Sequence, residues 1–232
     1  MDGSSPRTLR SSVVVPLSSL EVGFFEDAML MMLRRGIRQF LDVGSRAPEK
    51  NGVHSLASYL YPESVVVRVG DGLFPGGRRR EPPTASIGSV HLLRARVTEV
   101  DEALAECFTA RWLDRERPVG VIAVGAADRN APWSSPAPMM ARCNALLGAE
   151  SMVAATRRLL GPWGTGRAGS TDIEELSEMF DGLDLVKPGL VRLPHCWPGS
   201  AGRAWAHSAV SDQGVLAGIA LKPAGRASFH SR

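Results

Sequence analysis

"GIRQFLDVGSRAPEKNGVHSLASYL", residues 36–60, decides how the rest of the chain is read. Residues 39–43 form a short, mostly apolar run suited to a buried strand. Residues 44–51 are rich in small and turn-forming types. Residues 53–60 have the length and composition of a short helix. A strand, a turn and a helix in this order open a sheet in which strands and helices alternate.

Working outward, residues 18–35 read as a helix. Ser18 and Glu21 have capping-box spacing, and Leu20, Phe24, Ala28 and Met31 recur at the helical period. Gly36 suits its left-handed cap. Met29, Met31 and Met32 read as core filling. Downstream, "SVVVRV" (64–69) is a β-branched strand and residues 89–94 are a third. "GDGLFPGGRRREPP" (70–83) between them is a glycine- and proline-rich loop. A helix is expected over 99–112, with Thr98 and Asp101 near capping spacing. "PVGVIAVGA" supplies a fourth strand at 119–124, whose unbroken apolar run implies cover on both faces. Helices follow at 139–147 and 171–180, the second with Thr171 and Glu174 as a capping box. A fifth strand is expected at 151–155, and "LDLVKPGLVRLP" and "GVLAGIALKP" close the sheet. Residues 1–17 read as a flexible lead-in, 18–223 as one α/β domain and 224–232 as a disordered tail.

Bulk properties bound the function. The chain has 232 residues, 44% hydrophobic and 22% charged, which suits a folded domain rather than a disordered one. A net charge of +3 does not by itself argue for nucleic acid. Cys107, Cys143 and Cys196 lie far apart with no CxxC pair and no zinc spacing, so no metal site is expected. They read as reduced structural thiols of a cytoplasmic protein. No stretch approaches the roughly 20 apolar residues of a membrane helix.

The opening stretch resembles a bacterial family of S-adenosylmethionine-dependent methyltransferases, which shows GIRQFLD, an aliphatic residue and GSGLP. Further pieces are similar in the same order. "SVVVRVGDG" (64–72) resembles ARVVYVDND, "RPVGVIAVGA" (117–126) resembles RPVAVLLVAV, and "MFDGLDLVKPGLV" (179–191) resembles FFDGLELVEPGLV. The resemblance implies a Rossmann-like class I methyltransferase fold. Its sheet has seven strands, mostly parallel, with helices on both faces and the last strand inserted antiparallel. It also implies S-adenosyl-L-methionine as the small-molecule cofactor, with a methyl acceptor that the sequence does not identify.

The resemblance places Asp42, Gly44 and Ser45 at the cofactor's first turn. There glycine lets backbone N–H groups approach because it has no Cβ. Arg46 stands where the family has its second glycine. The family's ribose-binding acid falls on Gly70, with Asp71 one residue later, and its adenine-site acid falls on Arg96. Asp128 stands where a histidine is usual and is the candidate for aligning the acceptor. His54 opens the first crossover helix in a structural or capping role.

Two readings stay open at this stage: a working methyltransferase, or a relative that keeps the fold and binds a metabolite or partner without catalysis. A nucleic-acid module built on "GGRRREPP" lacks the aromatic residues and motifs that would support it. "LPHCWPG" puts His195 and Cys196 on opposite sides of an extended chain, a poor joint metal site. "GPWGTGRAGS" lacks the lysine and spacing of a phosphate-binding loop.

Overall fold

The computed structural model describes residues 18–44, 52–70, 89–95, 99–125, 137–159, 170–193 and 214–224. The expected lead-in, the 71–83 loop, all of "LPHCWPG" after Leu193, Thr98, most of "GPWGTGRAGS" and residues 225–232 of the tail lie outside these.

Helix α1 (Ser19–Arg34) begins with the expected capping box: the Ser18 hydroxyl accepts from the Glu21 N–H, and the Glu21 carboxylate takes the Ser18 N–H. It ends in a paired turn in which Gly36 N–H donates to Leu33 O and Ile37 N–H to Met32 O. Gly36 has φ +84°, where a side chain would be strained. The chain continues through β1 (Gln39–Val43), α2 (Val53–Leu60), β2 (Val65–Gly70), β3 (Ser89–Arg94), α3 (Val100–Thr109), β4 (Val119–Ala123) and α4 (Ala137–Leu146). It then forms β5 (Met152–Arg158), α5 (Ser170–Glu178), β6 (Asp184–Leu185), β7 (Val191–Leu193) and β8 (Val215–Leu221).

The strands form one sheet in the order β3-β2-β1-β4-β5-β8-β6, with β7 also on β8. From β3 to β5 every pairing is parallel, and β8 runs antiparallel to β5, β6 and β7. The closing strand is therefore inserted antiparallel, as the resemblance implies. The outermost strand is broken into β6 and β7, so the described residues form eight strands rather than seven. Pro188, which has no N–H to give, and Gly189 at φ +92° occupy the break.

Helices cover both faces. Leu41, Val43, Val67, Val121 and Val153 meet α3, α4 and α5 on one side. Phe40, Val66, Ile122 and Ala154 meet α1 and α2 on the other. Met29 and Met32 are fully buried among them. Alternation along each strand thus sends successive residues to opposite cores.

Four expectations are corrected. Helix α3 stops at Thr109 rather than 112, because Arg111 takes φ +58° and Trp112 N–H turns back to Cys107 O. No glycine marks that end. Helix α4 starts at Ala137, two residues early, since Pro138 in a first turn forfeits no intrahelical bond. Thr171 lies inside α5, which begins at Ser170, so the expected capping box with Thr171 as N-cap does not form the start of this helix. Strand β5 runs on to Arg158 because its whole length pairs with β8.

Gly120 shows how tightly the second core is filled. A Cβ there would stand 2.7 Å from Phe40 Cδ1 and 2.9 Å from Met32 Sδ. Both side chains are fully buried and have nowhere to retreat. Gly120→Ala is expected to destabilise the fold by about 1–3 kcal/mol through overpacking, read by urea unfolding. A neutral result would mean that this core is loose.

Candidate functional site

The parallel strands set the geometry. β1 leads through α2 to β2 on one side, whereas β4 leads through α4 to β5 on the other. β1 and β4 are neighbours, and their outgoing helices lie on opposite faces. Such a switch point leaves a crevice at the carboxyl edge, where α/β sheets bind ligands.

A glycine turn stands on each side of that crevice. Gly44 follows β1 with φ +57°, and its N–H donates to Val69 O at 2.9 Å. Gly125 follows β4 with φ +75°, and its N–H donates to the buried Thr156 hydroxyl at 2.8 Å. Both turns are tied to the next strand outward, β2 and β5 respectively. Neither has a Cβ to obstruct a ligand.

Asp42 lies below the first turn on the α2 face and is 2% exposed. Its cross-strand partner is Arg68, whose Nε–H donates to Asp42 Oδ2 at 3.1 Å. Arg68 is itself mostly buried, so the acid enters the sheet as half of an ion pair. Gly70 ends β2 at the same edge, and a Cβ added there meets no atom of the described residues within 4 Å. His54 is in the first turn of α2, with Nε2 3.2 Å from the Ser55 hydroxyl. Of the sequence candidates, Asp42, Gly44 and Gly70 are thus brought to one edge. Ser45, Arg46, Asp71, Arg96 and Asp128 lie outside the described residues.

On the β5 side the edge carries charges that each face a partner. Arg157, turned toward α5, pairs with Asp172 at 3.2 Å and with Glu175. Arg158, turned toward α1, gives Nε–H and Nη2–H to Glu21 Oε2 at 2.9 and 2.5 Å. The sequence reading missed these pairs, the Thr156 tie and the Asp42–Arg68 pair. One signal was available. A single arginine inside "SVVVRV" and a doublet ending "MVAATRR" are costly in buried strands unless acids await them.

Elsewhere, an open groove of about 510 Å³ lies between α4 and α5, lined by Ala141, Phe180 and Leu183 among others. It reaches Leu185 in β6, toward the amino end of β5, and neither glycine turn lines it. Burial pushes the Cys107 and Cys143 thiols up to about 12, with the charges of Glu106 and Asp101 respectively adding to it. Thiols so held stay protonated and unreactive. Among the described residues no cluster of His, Cys, Asp and Glu could hold a metal ion. No helix among them is long and apolar enough to cross a membrane.

A family model described as S-adenosyl methyltransferase matches residues 14–161, which takes in both glycine turns. Among solved structures, a DUF574 family protein from Streptomyces avermitilis MA-4680 is similar over 88% of this chain and 83% of its own, at 22% identity and a TM-score of 0.62. A candidate methyltransferase from Thermobifida fusca YX is similar over 88% and 80%, at 19% identity and a TM-score of 0.65. At these identities the two structures speak for the fold. No curated protein sequence matches.

Proposed function

The chain belongs to the S-adenosyl methyltransferase family, and we propose that it transfers the methyl group of S-adenosylmethionine to a nucleophilic acceptor at the β1–β4 crevice. The observation that carries this reading is the pair of glycine turns, Gly44 and Gly125, flanking the switch point with their amides tied back to β2 and β5. Bare backbone at both lips suits a ligand that must lie close across two strand ends. No atom of the described residues lies within 4 Å of a Cβ added at Gly70, which suits a ribose at the β2 end.

Bound there, S-adenosylmethionine supplies an electrophilic methyl carbon on a sulfonium. The chain's own contribution is alignment, the larger part of what an in-line displacement requires. In this reading Asp42, Gly44, Ser45 and Arg46 form the methionine-side turn. Gly70 and Asp71 flank the ribose, and Asp128 orients the acceptor. Arg68 fixes Asp42 so that its carboxylate does not swing into the crevice.

Isothermal titration with S-adenosylhomocysteine tests the reading. Saturable binding is expected, and no heat at high protein concentration would overturn it. The same titration of Gly70→Asp goes further. The added Cβ meets no atom of the described residues within 4 Å, and a charge-assisted hydrogen bond to a ribose hydroxyl is worth about 1.5–3 kcal/mol. Affinity is expected to rise at least about tenfold. Unchanged affinity would remove residue 70 from the ribose end.

A further inference from the structure

Glu21 is fully buried, yet among the described residues only one of its carboxylate oxygens is hydrogen-bonded. Oε2 receives the Ser18 N–H at 2.8 Å, the Ser18 hydroxyl at 2.9 Å and both Arg158 donors. Oε1 is buried and has no hydrogen-bond partner among the described residues. An arginine facing a carboxylate commonly bonds both oxygens in a fork. Here the guanidinium doubles up on one and leaves the other over. A buried charged acceptor without a donor is costly, so such an atom marks where a donor arrives.

Position narrows which donor. Arg158 ends β5, and Thr156, two residues earlier on the same face, holds the Gly125 turn. Glu21 therefore stands at the carboxyl edge on the β5 side of the switch point. Gly70 stands on the β2 side. A ligand with its ribose at β2 and its reactive end between β1 and β4 would present that reactive end toward Glu21.

We infer that Glu21 is the acceptor-side carboxylate of the transfer site, and that its Oε1 takes a hydrogen bond from the N–H or O–H of an amine or hydroxyl methyl acceptor. This rests on the crevice being the S-adenosylmethionine site. As the acceptor's lone pair forms the new bond to the methyl carbon, the carbon–sulfur bond breaks and sulfur keeps its electron pair. The acceptor's proton passes to Oε1.

Sinefungin, which carries an amine-bearing carbon in place of the sulfonium and its methyl, puts a donor at the transfer position and serves as the probe. The wild-type protein is expected to bind sinefungin about tenfold more tightly than S-adenosylhomocysteine, the scale of one charge-assisted hydrogen bond. In Glu21→Gln that ratio is expected to fall toward one, with S-adenosylhomocysteine affinity little changed. A wild-type ratio near one, or the same ratio in both proteins, overturns the inference. If Glu21→Gln does not fold, the wild-type ratio still decides. Failure of both ligands to bind overturns the methyl-donor reading itself, whereas S-adenosylhomocysteine binding without sinefungin preference overturns only the role of Glu21.

Discussion

Gly44→Val abolishes detectable S-adenosylhomocysteine binding, with affinity expected to fall at least about a hundredfold, or roughly 2.7 kcal/mol. Two effects combine. At φ +57° an L side chain costs about 1–2 kcal/mol, and β-branching makes the left-handed conformation worse. The turn then relaxes, pulling its N–H away from Val69 O and closing the lip of the crevice. Gly44→Asn separates the effects, because asparagine tolerates this conformation while still adding a side chain. Its melting temperature is expected to stay near wild type while its affinity still falls. Titration beside thermal unfolding reads both. Wild-type affinity in Gly44→Val would mean that the ligand does not pass over this turn.

Arg158→Met is expected to cost about 3–5 kcal/mol of stability, the usual scale for removing one partner of a buried ion pair. At roughly 2–4 °C per kcal/mol in a chain of this size, the melting temperature should drop by about 6–20 °C. The penalty arises less from the lost pair than from the stranded carboxylate. Among the described residues Glu21 would keep only the Ser18 donors, in a site with no exposure. Combining Glu21→Gln with Arg158→Met should therefore recover much of the loss, giving a large coupling energy in a double-mutant cycle. A single-variant cost below about 1 kcal/mol would place the pair among weakly coupled surface bridges instead.

How far the sequence reached depended on the range of each interaction. The α1 capping box is set by residues three apart, and strand β4 by an unbroken apolar run, so both were legible. Both helical ends with reversed turns obey the same geometry. Gly36 announces its own, whereas Arg111 at φ +58° does not. Ser170 and Thr171 are both hydroxyl residues, so local chemistry could not fix where α5 begins. The expected fifth strand stopped at residue 155, short of Arg157 and Arg158, because the acids that hold those arginines lie on different helices. Glu21 is 137 residues from Arg158. For the site, the resemblance placed Asp42, Gly44 and Gly70 at strand ends, and the sheet order puts those ends side by side. The meaning of Asp42 needed the register opposite Arg68, which no local pattern encodes.

The position of β8 bears on how the chain is made. It is the last described strand in sequence, yet it sits inside the sheet between β5 and the β6–β7 edge. A ribosome that has released everything up to α5 has produced β5 with one flank of backbone amides and carbonyls unclaimed. That flank is an invitation to pair with another nascent chain. Completion of this sheet is thus postponed until β8 itself has emerged, and premature termination before residue 214 should yield aggregates rather than a smaller soluble protein.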